Sequence, residues 1–332
     1  MIITKTPFRM SFFGGGTDFP EFYNEHGGAV LSTTFDKYCY VTVRHLPPFF
    51  AYANELVYSK TERVTDVEDI EHPAIREAMK WLDMHQLRIT YEADLPARTG
   101  LGTSSSFAVG MLNAFHALKG KRVDKRRLAD EAIYLERVLC KENGGVQDQI
   151  AAAFGGFNRI DFDCNGYRVT PLDITQERKD QLNENLMLFF TGFSRFSSTI
   201  QGAYQQAMAD KTAQLLQMKN IVDDAQRILT GAGDLAEFGK LLDYTWKLKR
   251  GIVSEISTQS IDGLYDAAMQ AGALGGKLLG AGGGGFLLFY VEKDKQEQVR
   301  KALSNLMEVP FRFEDTGTSV LYYVPETYTK KE

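Results

Sequence analysis

Cysteine is scarce in this chain. Cys39, Cys140 and Cys164 are few, unclustered and odd in number, which argues against a disulfide framework or a cysteine-built zinc site and for a reducing compartment. The five histidines show no His-Glu-x-x-His spacing, so that metal-binding helix is excluded. No apolar run approaches the roughly 20 residues of a membrane span, and the N-terminus lacks the basic-then-apolar pattern of a signal peptide. Positive charge is not in excess: 38 Lys and Arg face 43 Asp and Glu, for a net charge of -5. A nucleic-acid surface is therefore not indicated. The expected default is a cytoplasmic enzyme with neither a membrane nor a nucleic-acid partner. An acidic protein of this kind must focus positive groups locally to hold an anion. Three familiar phosphate designs are missing as well. Gly276-Lys277 is followed by Leu278, so there is no Walker loop, and Ser105 stands where a dinucleotide motif needs its third glycine. No His-Arg-Asp or Asp-Phe-Gly of protein kinases occurs.

What is present is a soluble globular composition, 44% hydrophobic and 24% charged over 332 residues, enough for one large or two ordinary domains. The stretch Leu95-Pro-Ala-Arg-Thr-Gly-Leu-Gly-Thr-Ser-Ser-Ser106 organises the rest. It follows an alternating run, Leu87–Ala93, that reads as a strand. It precedes Phe107, Met111, Phe115 and Leu118 at helical spacing. A Gly- and hydroxyl-rich loop entering a helix aims free backbone N–H groups and the helix dipole at one point, which suits phosphate. The plain alternative is a capped helix with a supple loop.

Along the chain, Ile2–Ser11 is expected as a strand running into a tight turn over Phe12–Pro20. Gly28–Arg44 reads as two strands turning near Phe35-Asp36-Lys37, and Pro73–Met84 as an amphipathic helix. Asp124 is positioned to cap a helix that carries Glu136 beside its apolar stripe. Asp148 falls in the first turn of a short helix, where its charge is favoured. Phe157–Asp163 and Tyr167–Leu172 read as a hairpin across Asn165-Gly166. Thr175–Asn185 reads as a linker, followed by a strand at Leu186–Thr191 and one long helix from Ile200 to Leu229. Two further helices, a second glycine loop over Lys277–Phe286, a strand, a helix and a strand at Ser319–Val324 complete an α+β pattern.

Three glycine clusters, Gly14–Gly16, Gly100–Gly102 and Gly282–Gly285, each sit at a strand boundary and are expected to converge on one cleft. With Ser104, Glu136 and Asp148 they compose a phosphoryl-transfer set: backbone donors for phosphate, a hard cation between hydroxyl and carboxylate, and an Asp near the acceptor hydroxyl. The plain readings are a turn for the glycines, a solvated or salt-bridged Glu136 and a helix-terminus Asp148.

On these residues the chain resembles the GHMP small-molecule kinases. Pro96-x-x-x-Gly100-Leu-Gly-Thr-Ser-Ser105 is similar to the family's ATP loop, and Lys277-Leu-x-Gly-Ala-Gly-Gly-Gly-Gly285 to its C-terminal glycine motif. Arg9-x-x-x-x-Gly14-x-x-Thr17-Asp18 is similar to the N-terminal sugar-kinase motif, and Gly145-Val-Gln-Asp-Gln149 to the segment with the catalytic Asp. The resemblance implies a two-domain fold: an N-terminal α+β domain (1–176), a ferredoxin-like C-terminal domain (177–332), and an active site in the cleft between them. It implies that Thr99, Gly100, Leu101, Gly102, Thr103, Ser104, Ser105 and Ser106 hold ATP, and that Ser104 and Glu136 hold Mg²⁺. Asp148 would orient the acceptor or take its proton, and Arg9 would offset charge on the transferring phosphoryl. Gly15, Gly16, Thr17 and Asp18, with Asp148, Gly282 and Gly283, would bind the sugar.

Galactokinases carry Gly-Glu-His-Thr-Asp where this chain has Gly14-Gly15-Gly16-Thr17-Asp18. Lost side chains remove sugar contacts and open space. The Gly-Gly-Gly-Thr-Asp-x-Pro pattern resembles the D-glycero-D-manno-heptose 7-phosphate kinases of the family. That implies phosphorylation of an anomeric hydroxyl to the 1,7-bisphosphate, on the way to nucleotide-activated heptose. Arg98, Lys37, Arg159 and Arg195 are the candidate cations for the 7-phosphate, and Tyr58–Val64 is expected near the adenine. A kinase for fucose or an N-acetylhexosamine, and a non-catalytic sugar sensor on the same fold, stay open, as does a homodimer.

Overall fold

The structure is a computed structural model that describes residues 1–97, 99–192, 197–253 and 256–325. In chain order the first half runs β1 (Ile2–Phe13), α1 (Pro20–His26), β2 (Gly28–His45), β3 (Asn54–Val57), β4 (Thr61–Val64), α2 (Pro73–Trp81), β5 (Leu87–Ala93), α3 (Thr103–Leu118), α4 (Lys125–Ile133), α5 (Gln147–Phe154), β6 (Asn158–Asp163) and β7 (Gly166–Pro171). The second half runs α6 (Gln176–Glu184), β8 (Leu186–Phe190), α7 (Ser197–Ala207), α8 (Thr212–Thr230), α9 (Ala236–Arg250), α10 (Gln259–Gln270), β9 (Gly275–Leu278), β10 (Phe286–Tyr290), α11 (Gln296–Ala302), β11 (Met307–Glu308), β12 (Phe313–Glu314) and β13 (Ser319–Tyr323).

The larger sheet is ordered β13-β1-β2-β5-β3-β4, with β6 and β12 also paired to β2, and β7 to β6. Helix α3 lies on it. Nearly all of its residues are buried, because α4 and α5 cover its other side, which is why its sequence is apolar all round rather than striped. The smaller antiparallel sheet is ordered β11-β8-β10-β9. Numbered by its own strands this is 4-1-3-2 with helical crossovers, the ferredoxin-like arrangement that the family resemblance implies.

The two sheets share a core. Alternate residues of β8 point to opposite faces. Met187 and Phe189 join Trp246, Tyr265 and Ala268 under the helices. Leu186 and Leu188 join Phe8, Phe12, Phe13 and Leu31 of the larger sheet. Phe12 stacks on Phe157 at 5.4 Å and meets Phe238 edge-on at 5.3 Å.

Four local expectations change. Gly28–Arg44 forms one strand, not two, because Asp36 and Lys37 are taken up as a bulge: Pro7 pairs with Tyr38 and Phe8 with Phe35. Asp36 there meets Arg312 through both backbone and side chain. The stretch expected as a linker is helix α6, capped by Thr175 and burying only Leu182, so its polarity hid it. The long helix is broken by a 3₁₀ turn at Ala209–Lys211; α7 leans over the cleft while α8 packs on β1 and β2. Glu136 lies on a π-helical turn, Tyr134–Leu139, at the end of α4. The division expected after residue 176 is not a simple cut, since β12 and β13 return to pair with β2 and β1.

Candidate active site

The loop before α3 is shaped by glycine. Gly100 and Gly102 have φ of +82° and +70°, a region closed to most side chains. A Cβ on Gly100 would come within 2.3 Å of the Leu279 carbonyl oxygen, and one on Gly280 within 2.3 Å of the Gly100 Cα. The loop before α3 therefore touches the second glycine loop at Gly280, just ahead of the Gly282–Gly285 run. No side chain caps α3, which leaves its N-terminus turned to the loop.

Not every residue of the expected ATP loop faces outward. Ser106 Oγ donates to the Pro7 carbonyl at 2.9 Å, and Thr99 Oγ1 to Pro96 at 2.8 Å. Leu101 is fully buried, and its carbonyl accepts from the Arg9 amide. These three shape the loop. Ser104 and Ser105 instead meet a carboxylate: their hydroxyls donate to Glu136 Oε1 and Oε2 at 2.9 and 2.7 Å, and the Gln149 amide also donates to Oε2. Burial, helped by repulsion from Glu142, pushes the Glu136 carboxyl up to about 7 despite these donors. A buried carboxylate beside a hydroxyl is a donor set that a hard cation would relieve. No group of three or more His, Cys, Asp or Glu converges among the described residues. A cation held by Ser104 and Glu136 would thus complete its shell with phosphate and water, the habit of Mg²⁺.

Arg9 on β1 and Asp148 on α5 form a bidentate pair: Nε to Oδ1 at 2.6 Å and Nη2 to Oδ2 at 2.7 Å. Nη1 donates to the Gly100 carbonyl at 2.7 Å. The Arg9 guanidinium, expected to offset charge on the transferring phosphoryl, here bonds Asp148 and the glycine loop and keeps two of its five N–H groups. Asp18 is fully buried, and its carboxylate accepts from the amides of Gly16 and Gln147 at 2.9 and 3.2 Å. Burial raises its pKa, against the pull of those amides. Gly145 is needed here, because its Cβ would fall 1.8 Å from Asp18 Oδ2.

These groups line a cleft of about 620 Å³ that is open to solvent, walled by Arg9, Gly15, Gly16, Asp18, Asp148 and Gly280 among others. Ser11 Oγ, Gln147 Oε1 and Tyr204 Oη also belong to its lining and are buried without a hydrogen-bond partner among the described residues. Each such orphan costs on the order of 1–3 kcal/mol, so a polar ligand in the cleft would offset it. Thr17 is not in the lining; its hydroxyl locks the turn against the carbonyls of Gly14 and Ala29. Gly282 and Gly283 are not in it either. Gly283 bonds the Ile256 carbonyl, and Gly280 and Ala281 take the expected place at the cleft.

Lys249 and Lys277 were not anticipated. Lys277 donates to the carbonyls of Ser11 and Phe12, and Lys249 to that of Gly280. Lys249 follows Leu242, Thr245 and Trp246 on the buried stripe of α9. A lysine on a core stripe is the signal that could have found it. Of the cations expected for a 7-phosphate, Lys37 pairs with Asp36, and Arg159 pairs with Asp161 and Asp223, away from the cleft lining. Arg98 and Arg195 lie outside the described residues. Tyr58, at the β3–β4 turn, sits edge-on to His72, which in turn meets Phe107 of α3.

Comparison with known proteins accords with this geometry. Residues 70–156 match the GHMP kinases N terminal domain, and residues 222–309 the GHMP kinases C terminal domain. A D-glycero-alpha-D-manno-heptose 7-phosphate kinase of Campylobacter jejuni is 29% identical, over 91% of this chain and 93% of that one. A galactokinase of Pyrococcus furiosus is 24% identical, over 91% and 92%. The crystal structure of a D-glycero-D-manno-heptose 1-phosphate kinase from Bacteroides thetaiotaomicron superposes with a TM-score of 0.78 at 27% identity, covering 99% of this chain and all of that one. The two family models match the N-terminal and C-terminal parts of one fold in order along the sequence: the chain belongs to the GHMP kinases.

Proposed function

We propose that this kinase transfers the γ-phosphoryl of ATP to the anomeric hydroxyl of D-glycero-D-manno-heptose 7-phosphate, giving the 1,7-bisphosphate. The observation that carries the reading is the Arg9–Asp148 pair facing a turn of bare glycines and a buried Asp18 in one cleft. Glycines at 14–16 make room for an acceptor larger than a hexose. Likeness to heptose kinases over nine-tenths of the chain supports the same substrate class.

Asp18, with both oxygens held by backbone amides, is oriented to accept from sugar hydroxyls. Asp148 keeps lone pairs beyond those that Arg9 occupies, since a carboxylate accepts about four hydrogen bonds, and accepts the O1–H of the sugar. The O1–P bond forms while the bond from phosphorus to the β,γ-bridging oxygen breaks, and ADP leaves with that electron pair. An anomeric hydroxyl is unusually acidic, and the transition state is loose. Asp148 therefore acts first as a positioner and receives the proton late. Mg²⁺, held by Ser104 and Glu136, would offset charge on the β- and γ-phosphates.

The reading extends to a cytoplasmic enzyme serving nucleotide-activated heptose, with the domains meeting near residue 176. Among the described residues no helix is long and apolar enough to cross a membrane. A sensor would have no need of the Ser104–Glu136 pair or of Asp148. The test is ADP release with a panel of free and phosphorylated sugars, with phosphorus NMR locating the new ester. Turnover confined to unphosphorylated hexoses overturns the heptose assignment.

A further inference from the structure

The cleft is lined by more basic side chains than carboxylates. Its lining carries Arg9, Lys249 and Lys277 against Asp18 and Asp148. Arg9 is committed to Asp148 through two hydrogen bonds and to Gly100 through a third. Lys277, fully enclosed, clamps two carbonyls of β1 and so ties the first glycine cluster to the last. Asp18 is served by backbone amides. Lys249 has a single hydrogen bond, to the Gly280 carbonyl at 2.6 Å, and no ion-pair partner among the described residues. An ammonium has three donors, so two stay available.

Its place decides what they are for. Gly280 rests against Gly100 of the ATP loop, and Arg9 bonds that same Gly100 from the other side. Lys249 therefore stands where the ATP loop, Asp148 and the acceptor turn meet. A buried cation with spare donors at that junction is suited to an anion that arrives with the substrates. We propose that Lys249 is a catalytic residue of this kinase, its ammonium bonding the transferring phosphoryl group beside Arg9, which also holds Asp148 in place.

The proposal has its own pH signature. Lys249 faces Arg9 on β1, which disfavours its charge, Asp18 after β1 and Asp148 on α5, which favour it, and Lys277 on β9, whose own ammonium burial pushes well down; burial of Lys249 outweighs the two carboxylates and brings its ammonium down to about 8. The charged form is present below that value, so kcat should fall as pH rises through it.

The proposal rests on this protein being a sugar kinase, but not on which sugar is used. The assay is therefore ADP release with whichever panel sugar the wild-type protein accepts. If it accepts none, the slow hydrolysis of ATP by water reads the same step. Lys249→Met should lower kcat by about 10²–10³-fold, the cost typical of removing one donor to developing charge, with KM for ATP and sugar changed less than threefold. Lys249→Arg should recover most of kcat and, because a guanidinium stays charged, lose the decline above about pH 8. A melting scan and binding of a fluorescent ATP analogue establish that both variants are folded. Near-wild-type kcat for Lys249→Met overturns the proposal. So does a raised KM for a phosphorylated sugar at unchanged kcat, which would assign Lys249 to the sugar's own phosphate. An unchanged alkaline decline in Lys249→Arg removes Lys249 as its source.

Discussion

Replacing Glu136 by Gln probes the cation site through stability rather than turnover. The carboxyl is enclosed by Ser104, Ser105 and Gln149, and burial carries it from 4.5 up to about 7. The folded state holds this proton more tightly than the unfolded chain does. The resulting stability is full below about pH 4.5 and is lost as pH rises toward about 7, where the folded protein must also ionise. At 1.36 kcal/mol per pH unit, the displacement amounts to about 3 kcal/mol. A neutral amide of the same shape escapes that loss, and Gln149 Oε1, now buried without a partner, gains a donor within reach. Without nucleotide or divalent cation, Glu136→Gln should therefore melt above wild type at about pH 8, by roughly 4 °C for a chain of this length. Near pH 5 the two should coincide. Calorimetric scans across that range make the measurement. Adding Mg²⁺ and ATP should reverse the order at the higher pH, because binding stabilises only the protein that retains the ligand. A melting difference that does not change with pH, or a variant less stable than wild type at about pH 8 in the absence of metal, refutes a buried, costly carboxylate.

Three further outcomes follow from the geometry. Asp148→Asn breaks the bidentate pair with Arg9 and should lower kcat by at least about 10²-fold, while a fluorescent ATP analogue still binds; near-normal turnover would remove Asp148 from the chemistry. Gly145→Ala pushes a methyl onto Asp18 Oδ2, so KM for the sugar should rise several-fold while ATP affinity holds, and an unchanged sugar KM would free Asp18 of its assigned role. Phe12→Ala empties the seam between Phe157 and Phe238 and should cost about 3–5 kcal/mol in urea titration; a loss below about 1 kcal/mol would mean that the two sheets do not depend on this core.

The chemistry-bearing loops were legible because their constraints are local. A helix entered from a glycine loop, a carboxylate in a first turn and three glycine runs are written in adjacent letters. Gly100 and Gly280 do meet, and Asp18 and Asp148 do share a cleft. The sequence was a poorer guide to which hydroxyls face outward. Ser104, Ser105 and Ser106 are consecutive, yet two reach Glu136 and one turns back to Pro7, since successive helical residues point about 100° apart. Helix α6 escaped notice because it buries one side chain, and pattern is visible only where a face is buried.

Sequence by itself determined the family and placed the glycine loops beside their strands and helices, because backbone conformation and residue chemistry are short-range properties. Tertiary structure decided how the charges are divided. That Arg9 pairs with Asp148, and that Lys249, a hundred residues beyond, is buried at the same junction, depends on distances across two sheets joined through one aromatic core. No spacing along the chain encodes those distances. The strength of a charge pair depends on separation and burial in space, and only the packed fold sets both.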